Sequence, residues 1–117
     1  MHETNAAGEL VFKCDFCTMA WDEHRQMVEG HRGSLICSQC LSIAFTEVVH
    51  LDSGYLPTPK EVCILCLETG RDGFHWKSPL DPSVLACRRC IKQSAGVLHK
   101  DPETDWKKPA DPKTGGN

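Results

Sequence analysis

The sequence predicts a small metal-stabilised α+β protein made of one finger written twice, and three observations predict it. All eight cysteines stand in Cys-x-x-Cys pairs, at Cys14/Cys17, Cys37/Cys40, Cys63/Cys66 and Cys87/Cys90. The pairs recur at matched intervals, with 19 residues between Cys17 and Cys37 and 20 between Cys66 and Cys87. The chain has only 117 residues. With its polar ends set aside, each half is near the size at which apolar burial alone fails to hold a fold.

A structural zinc ion takes four thiolates, and a two-residue gap lets one tight turn aim two sulfurs at the same ion. Eight such thiols imply two Zn2+ ions. Cys14, Cys17, Cys37 and Cys40 form one ligand set, and Cys63, Cys66, Cys87 and Cys90 the other, because each half repeats complete. That preference leaves a crossed arrangement open. Disulfides are the competing use of so many cysteines. Strict pairing, the lack of an apolar secretory segment near Met1 and the poor geometry of a bridge across so short a gap oppose them. The expectation is a protein of the reducing cytoplasm. Structural zinc contributes about 10–16 kcal/mol of apparent binding energy at neutral pH, comparable with the whole stability of an ordinary domain.

The local elements follow in order. Residues 1–8 are small and polar, and a flexible N terminus is expected. The first finger spans 9–52. Beyond the knuckle at Cys14 and Cys17, Gln26-Met27-Val28-Glu29 and Ser34-Leu35-Ile36-Cys37 flank the turn residues Gly30-His31-Arg32-Gly33, which reads as a hairpin. Leu41, Phe45, Val48 and Val49 then lie on one stripe of a helix. Residues 53–60, with two prolines, read as a linker. In the second finger, 61–100, Gly73-Phe74-His75-Trp76-Lys77 and Ser83-Val84-Leu85-Ala86-Cys87 repeat the hairpin. Ile91, Ala95 and Leu98 repeat the helical stripe, with Gly96 costing about 1 kcal/mol relative to alanine. Cys40 and Cys90 fall in the first helical turn, where free N–H groups favour thiolate. Knuckle, hairpin and ligand-bearing helix make a treble-clef-like finger. From Asp101 to Asn117 the chain is rich in breakers, and a disordered tail is expected.

The first half resembles a known family. Cys14-Asp-Phe-Cys17, the acidic pair Asp22-Glu23, Arg25-Gln26-Met27-Val28 with Gly30, and Leu35-Ile36-Cys37-Ser-Gln-Cys40-Leu are similar to the four-cysteine zinc finger at the amino end of the ClpX unfoldase. The likeness covers residues 14 to about 50. Residues 63–100 keep the cysteines and helix, but carry Ile64-Leu65 in the knuckle and a differently worded hairpin. The resemblance implies a module without catalytic activity that dimerises and docks adaptors or substrates of a Clp-type protease. No Gly-x-x-x-x-Gly-Lys-Ser/Thr loop accompanies it, so the ATPase is missing.

Two tethered copies suggest a pseudo-twofold pair within one chain, with Leu41, Phe45, Val48, Ile91 and Leu98 near the contact, since a short tether raises effective concentration. The competing arrangement gives each finger its own miniature core. The same apolar helix faces offer a route to self-association.

Other residues carry weaker signals. His24, His31, His50, His75 and His99 are ligands by chemistry, yet four sulfurs already close each site, so these side chains are expected in solvent or at helix ends. Phe16, Trp21, Phe45, Phe74 and Trp76 are candidates both for packing and for anchoring a protein partner. Trp106 is expected to have no role. Arg88 and Arg89 lie inside the last ligand pair, where they would offset thiolate charge or meet phosphate. Each quartet of thiolates with a divalent ion carries −2, which takes the formal −3 to about −7 and argues against broad nucleic-acid binding. Nothing points to a membrane. The function expected is a non-catalytic zinc-binding module for protein partners, with a nucleic-acid-binding, transcription-associated protein using the basic second finger as the alternative.

Overall fold

In the computed structural model, which describes residues 1–114, the chain runs β1 (His2–Thr4), β2 (Leu10–Phe12), β3 (Met27–Glu29), β4 (Leu35–Cys37), α1 (Ser38–Ala44), β5 (His75–Lys77), β6 (Leu85–Cys87) and α2 (Arg88–Lys100). Three antiparallel hairpins result, β1–β2, β3–β4 and β5–β6. The last two are the repeated ones, and they match in register. Val28 faces Ile36 in the first, and Trp76 faces Ala86 in the second. A large residue opposite a small one replaces two of middle size, so the paired volumes stay similar.

Each repeated hairpin ends on a cysteine that also caps the helix after it. Cys37 Sγ accepts the Cys40 N–H, and Cys87 Sγ accepts the Cys90 N–H. The helices then differ. α2 continues for 13 residues and buries Cys90, Ile91, Ser94, Ala95 and Leu98. α1 widens after Ala44 into π-helical turns over Phe45–His50, closed by the Leu51 N–H to Thr46 O bond of 2.9 Å. Phe45 and Val48 stay buried through this stretch, and the His50 ring meets Phe45 edge-on with centroids 5.0 Å apart.

One apolar cluster spans both halves. It holds Phe16, Ile36, Leu41, Phe45 and Val48 of the first with Leu65, Trp76, Ile91, Ala95 and Leu98 of the second. The helical segments of the two halves pack on each other, so the interior is shared and the fingers do not close separate cores. The linker is pinned as well. Tyr55 exchanges backbone hydrogen bonds with His75, at 2.9 and 2.7 Å, and Lys77 Nζ lies 3.7 Å from the Tyr55 ring centroid. Gly54, at φ +127°, lies where a Cβ would be 2.6 Å from His75 O, so this crossing needs glycine.

Both chain ends depart from the composition-based expectation. His2–Thr4 forms β1 against β2, and the Met1 ammonium lies 2.8 Å from Asp15 Oδ2. Beyond α2 the chain has little regular structure but is laid along the first finger. Trp106 packs against the core and its Nε1–H donates to Ser42 Oγ at 2.9 Å; Pro109 O lies 2.7 Å from His50 Nε2. The expectation ignored Trp106, whose area suffices to anchor a polar segment. The last part of that expected tail, residues 115–117, lies outside the described residues.

Candidate metal centres

The eight sulfurs gather into two groups, Cys14, Cys17, Cys37 and Cys40, and Cys63, Cys66, Cys87 and Cys90, with the sulfurs of each group within 4.8 Å of one another. The sets are sequential. None of the cysteines is in a disulfide. A tetrahedron of sulfurs about 2.3 Å from zinc has edges of about 3.8 Å. Cys17 and Cys37 are 3.7 Å apart, and Cys66 and Cys87 are 4.0 Å apart. The donor set and its spacing therefore fit a structural zinc ion in each group.

The backbone builds both groups the same way. In the knuckles, Thr18 N–H bonds to Cys14 O and Leu67 N–H to Cys63 O, each at 2.8 Å. Thr18 and Leu67 pay for this closure with left-handed conformations, φ 63° and 62°, that side chains rarely adopt. Each knuckle is tied to its own hairpin by Asp15 N–H to Leu35 O and Ile64 N–H to Leu85 O, both 2.9 Å. The third ligand then leaves a strand end and the fourth rises from the first helical turn.

Donors converge on the sulfurs, as a group carrying −2 with its ion requires. Phe16 N–H and Cys37 N–H both reach Cys14 Sγ at 3.3 Å, and Cys87 N–H reaches Cys63 Sγ at 3.2 Å. Hydrogen bonds from Cys14 and then Cys40 hold the Cys37 sulfur well below the usual thiol range, while its bond with Cys37 pushes Cys14 up to about 11. In the second group Cys63 is held low by Cys87 and Cys90, and Cys87 rises to about 11 through its bond with Cys63. A divalent ion would draw all four sulfurs into the thiolate form.

Two arginines lie against the groups. Arg25 Nη1 donates to Cys37 Sγ at 3.6 Å and to Gln39 Oε1 at 3.0 Å. A hydrogen bond to Cys66 holds the Arg71 guanidinium more firmly protonated than usual. Sequence reasoning offered Arg88 and Arg89 either this role or a contact with phosphate. Those two line a concavity of about 410 Å³ with Asp72, Lys92 and Gln93 at the start of α2. Arg25 was missed because nothing in a linear spacing places it beside a cysteine 12 residues on.

The remaining candidates separate by burial. Phe16, Phe45 and Trp76 are interior, so as placed they pack the core and cannot anchor a partner. Phe16 and Trp76 stack across the two halves with centroids 5.3 Å apart. Phe74 is half-buried beside the core. Trp21 is 56% exposed and its backbone N–H donates to Phe12 O at 2.8 Å; Phe12 and Met19 are exposed as well. His75, expected in solvent, is buried with Nδ1 3.2 Å from Gly73 O, and no histidine joins either sulfur group among the described residues.

No protein-family model matches the sequence, and no solved structure matches the chain. No helix among the described residues is long and apolar enough to cross a membrane.

Proposed function

We propose that the chain is a non-catalytic, zinc-binding protein-interaction module: two treble-clef-like fingers paired within one polypeptide, similar in use to the adaptor- and substrate-docking finger of ClpX and working in the cytoplasm. The observation that carries this reading is the pair of four-sulfur groups at tetrahedral spacing. Four cysteines close the coordination sphere, whereas a hydrolytic zinc needs a position open to water. Zinc then serves folding, and action falls to the surface.

That surface includes apolar side chains the core does not use. Leu10, Phe12, Met19 and Trp21 are all at least 41% exposed around β2 and the first knuckle, and exposed aromatics of this kind suit partner contact. The test is affinity capture with the zinc-loaded chain and identification of the prey by mass spectrometry. Capture of Clp-protease components or their adaptors, lost on Trp21→Ala, supports the reading; capture that ignores Trp21 opposes this surface.

A second reading rests on the concavity where Arg88, Arg89 and Lys92 converge at the start of α2, a placement suited to phosphate. Salt-dependent retention of RNA or DNA that falls with Arg89→Ala would favour it over the first.

A further inference from the structure

The two fingers grip each other at their metal-binding knuckles. We infer that the two zinc sites are energetically coupled, and that Ser78, in the second finger, is a positioning residue for the zinc site of the first. This inference rests on the zinc-binding reading of the sulfur groups.

Ser78 follows β5, and Gly30 holds the same place after β3. Both donate their backbone N–H across the turn, Ser78 to Val84 O at 2.9 Å and Gly30 to Ser34 O at 2.8 Å. From these matched positions each hairpin reaches the other finger. Ser78 Oγ–H donates to Phe16 O at 2.6 Å in a buried contact. His31 N–H, beside Gly30, donates to Leu65 O at 2.9 Å. Phe16 and Leu65 are the equivalent third residues of Cys14-Asp-Phe-Cys17 and Cys63-Ile-Leu-Cys66. Each finger thus holds the peptide inside the other's first ligand pair.

At Phe16 the link to the metal ligands is direct. Its N–H donates to Cys14 Sγ at 3.3 Å. Its carbonyl, held by Ser78, belongs to the peptide unit that carries Cys17. Phe16 is thus held at its N–H on Cys14 and at its carbonyl on Ser78, which restrains the backbone between the two sulfurs of the knuckle. Ser78 is itself fixed, because its Oγ also accepts from Leu80 N–H at 3.1 Å and Asp81 N–H at 3.2 Å. The turn between β5 and β6, which delivers Cys87 to the second ion, and the knuckle that delivers Cys14 and Cys17 to the first, therefore share one hydroxyl. Phe16 stacked on Trp76 adds an apolar contact across the same boundary.

Loss of the second ion frees β5–β6, takes Ser78 from Phe16 O, and leaves a buried acceptor without a partner while the first knuckle loosens. The first site then binds zinc more weakly. By linkage, zinc at the first site strengthens binding at the second by the same factor.

The test is a chelator titration of the zinc-loaded chain, with released thiols alkylated and located by peptide mass spectrometry, so that each quartet is read separately. Ser78→Ala is expected to release Cys14, Cys17, Cys37 and Cys40 at about tenfold lower chelator strength, the effect of one unsatisfied buried acceptor. Ser83→Ala, in the same turn but with its hydroxyl on exposed Asp81, is expected to leave that quartet unchanged. Cys87→Ser with Cys90→Ser is expected to weaken the first quartet at least as much as Ser78→Ala. First-site affinity equal to wild type in both the Ser78 and the cysteine variants overturns the coupling while leaving zinc binding intact. A wild-type chain that takes up no zinc overturns the reading beneath it.

Discussion

Gly30 lies against the backbone of Leu65 so closely that a Cβ at this position would fall 2.6 Å from Leu65 O and 2.8 Å from its Cα. The glycine is there for proximity, since its φ of −102° is open to any residue. Neither neighbouring atom is the end of a flexible side chain, so the backbone of the second knuckle must shift. Gly30→Ala is expected to cost about 1–3 kcal/mol, the usual range for overpacking. It should also loosen zinc at Cys63 and Cys66 in preference to Cys14 and Cys17. Chemical denaturation of the zinc-loaded protein checks the first effect, and site-resolved alkylation the second. An unchanged midpoint would mean that the two halves do not meet as described.

What could be read without coordinates was whatever spacing encodes. Two Cys-x-x-Cys pairs per half name the ligands, and the i, i+4, i+7 placing of Leu41, Phe45 and Val48 names the buried face. The interlock could not be read, because Gly30 and Ser78 share a structural place but no chemistry. One approaches as bare backbone and the other spends a hydroxyl, so the repeat is invisible at that position. Aromatic residues misled for a related reason. Phe16 and Trp76 are suitable anchors by type, yet each buries its ring against the other once the halves meet. A residue's type states what it can bury, and only the packing states where.

Trp106 is expected to hold the segment after α2 onto the first finger. It packs beside the core and its indole N–H is bonded to Ser42 Oγ. Trp106→Ala should destabilise the zinc-loaded protein by about 1–3 kcal/mol, below the usual cost of a fully buried tryptophan because the ring is only half-buried. Trp106→Phe should lose about 1 kcal/mol, the worth of one hydrogen bond. Thermal melts of the three proteins give the order. Limited proteolysis should cut after α2 sooner in the alanine variant, and equal cutting in all three would deny that the segment is anchored.

Arg25 donates to Cys37 Sγ from a half-buried position that solvent and salt still reach, so its contribution is modest and partly screened. Arg25→Gln is expected to weaken zinc at the first site by at most about fivefold at low salt, the upper range for an exposed charged pair. The gap should close as salt is raised. A deficit that persists in high salt would mark a packing defect in place of a lost charge.

Metal removal tests the premise common to these predictions. Zinc binds thiolate, so protons compete with it, affinity rises with pH and acid releases the ion. The number of protons displaced reports the state of the metal-free chain. If the sulfur groups kept their geometry without zinc, Cys37 and Cys63, held low by the thiols beside them, would give up their protons ahead of the ion, and each ion would displace fewer protons than four ordinary thiols release. If the chain unfolds, ordinary thiols with pKa near 8.5 are almost all protonated at pH 7, and each ion displaces about four. A shared core this small, with cysteines of both sulfur groups built into it, favours the second outcome. Calorimetric zinc titrations in buffers of different ionisation enthalpy give the count. Circular dichroism of the chelated protein should show loss of α2 in parallel, and a chain that keeps its helix and releases clearly fewer than four protons per ion would show that the fold precedes the metal.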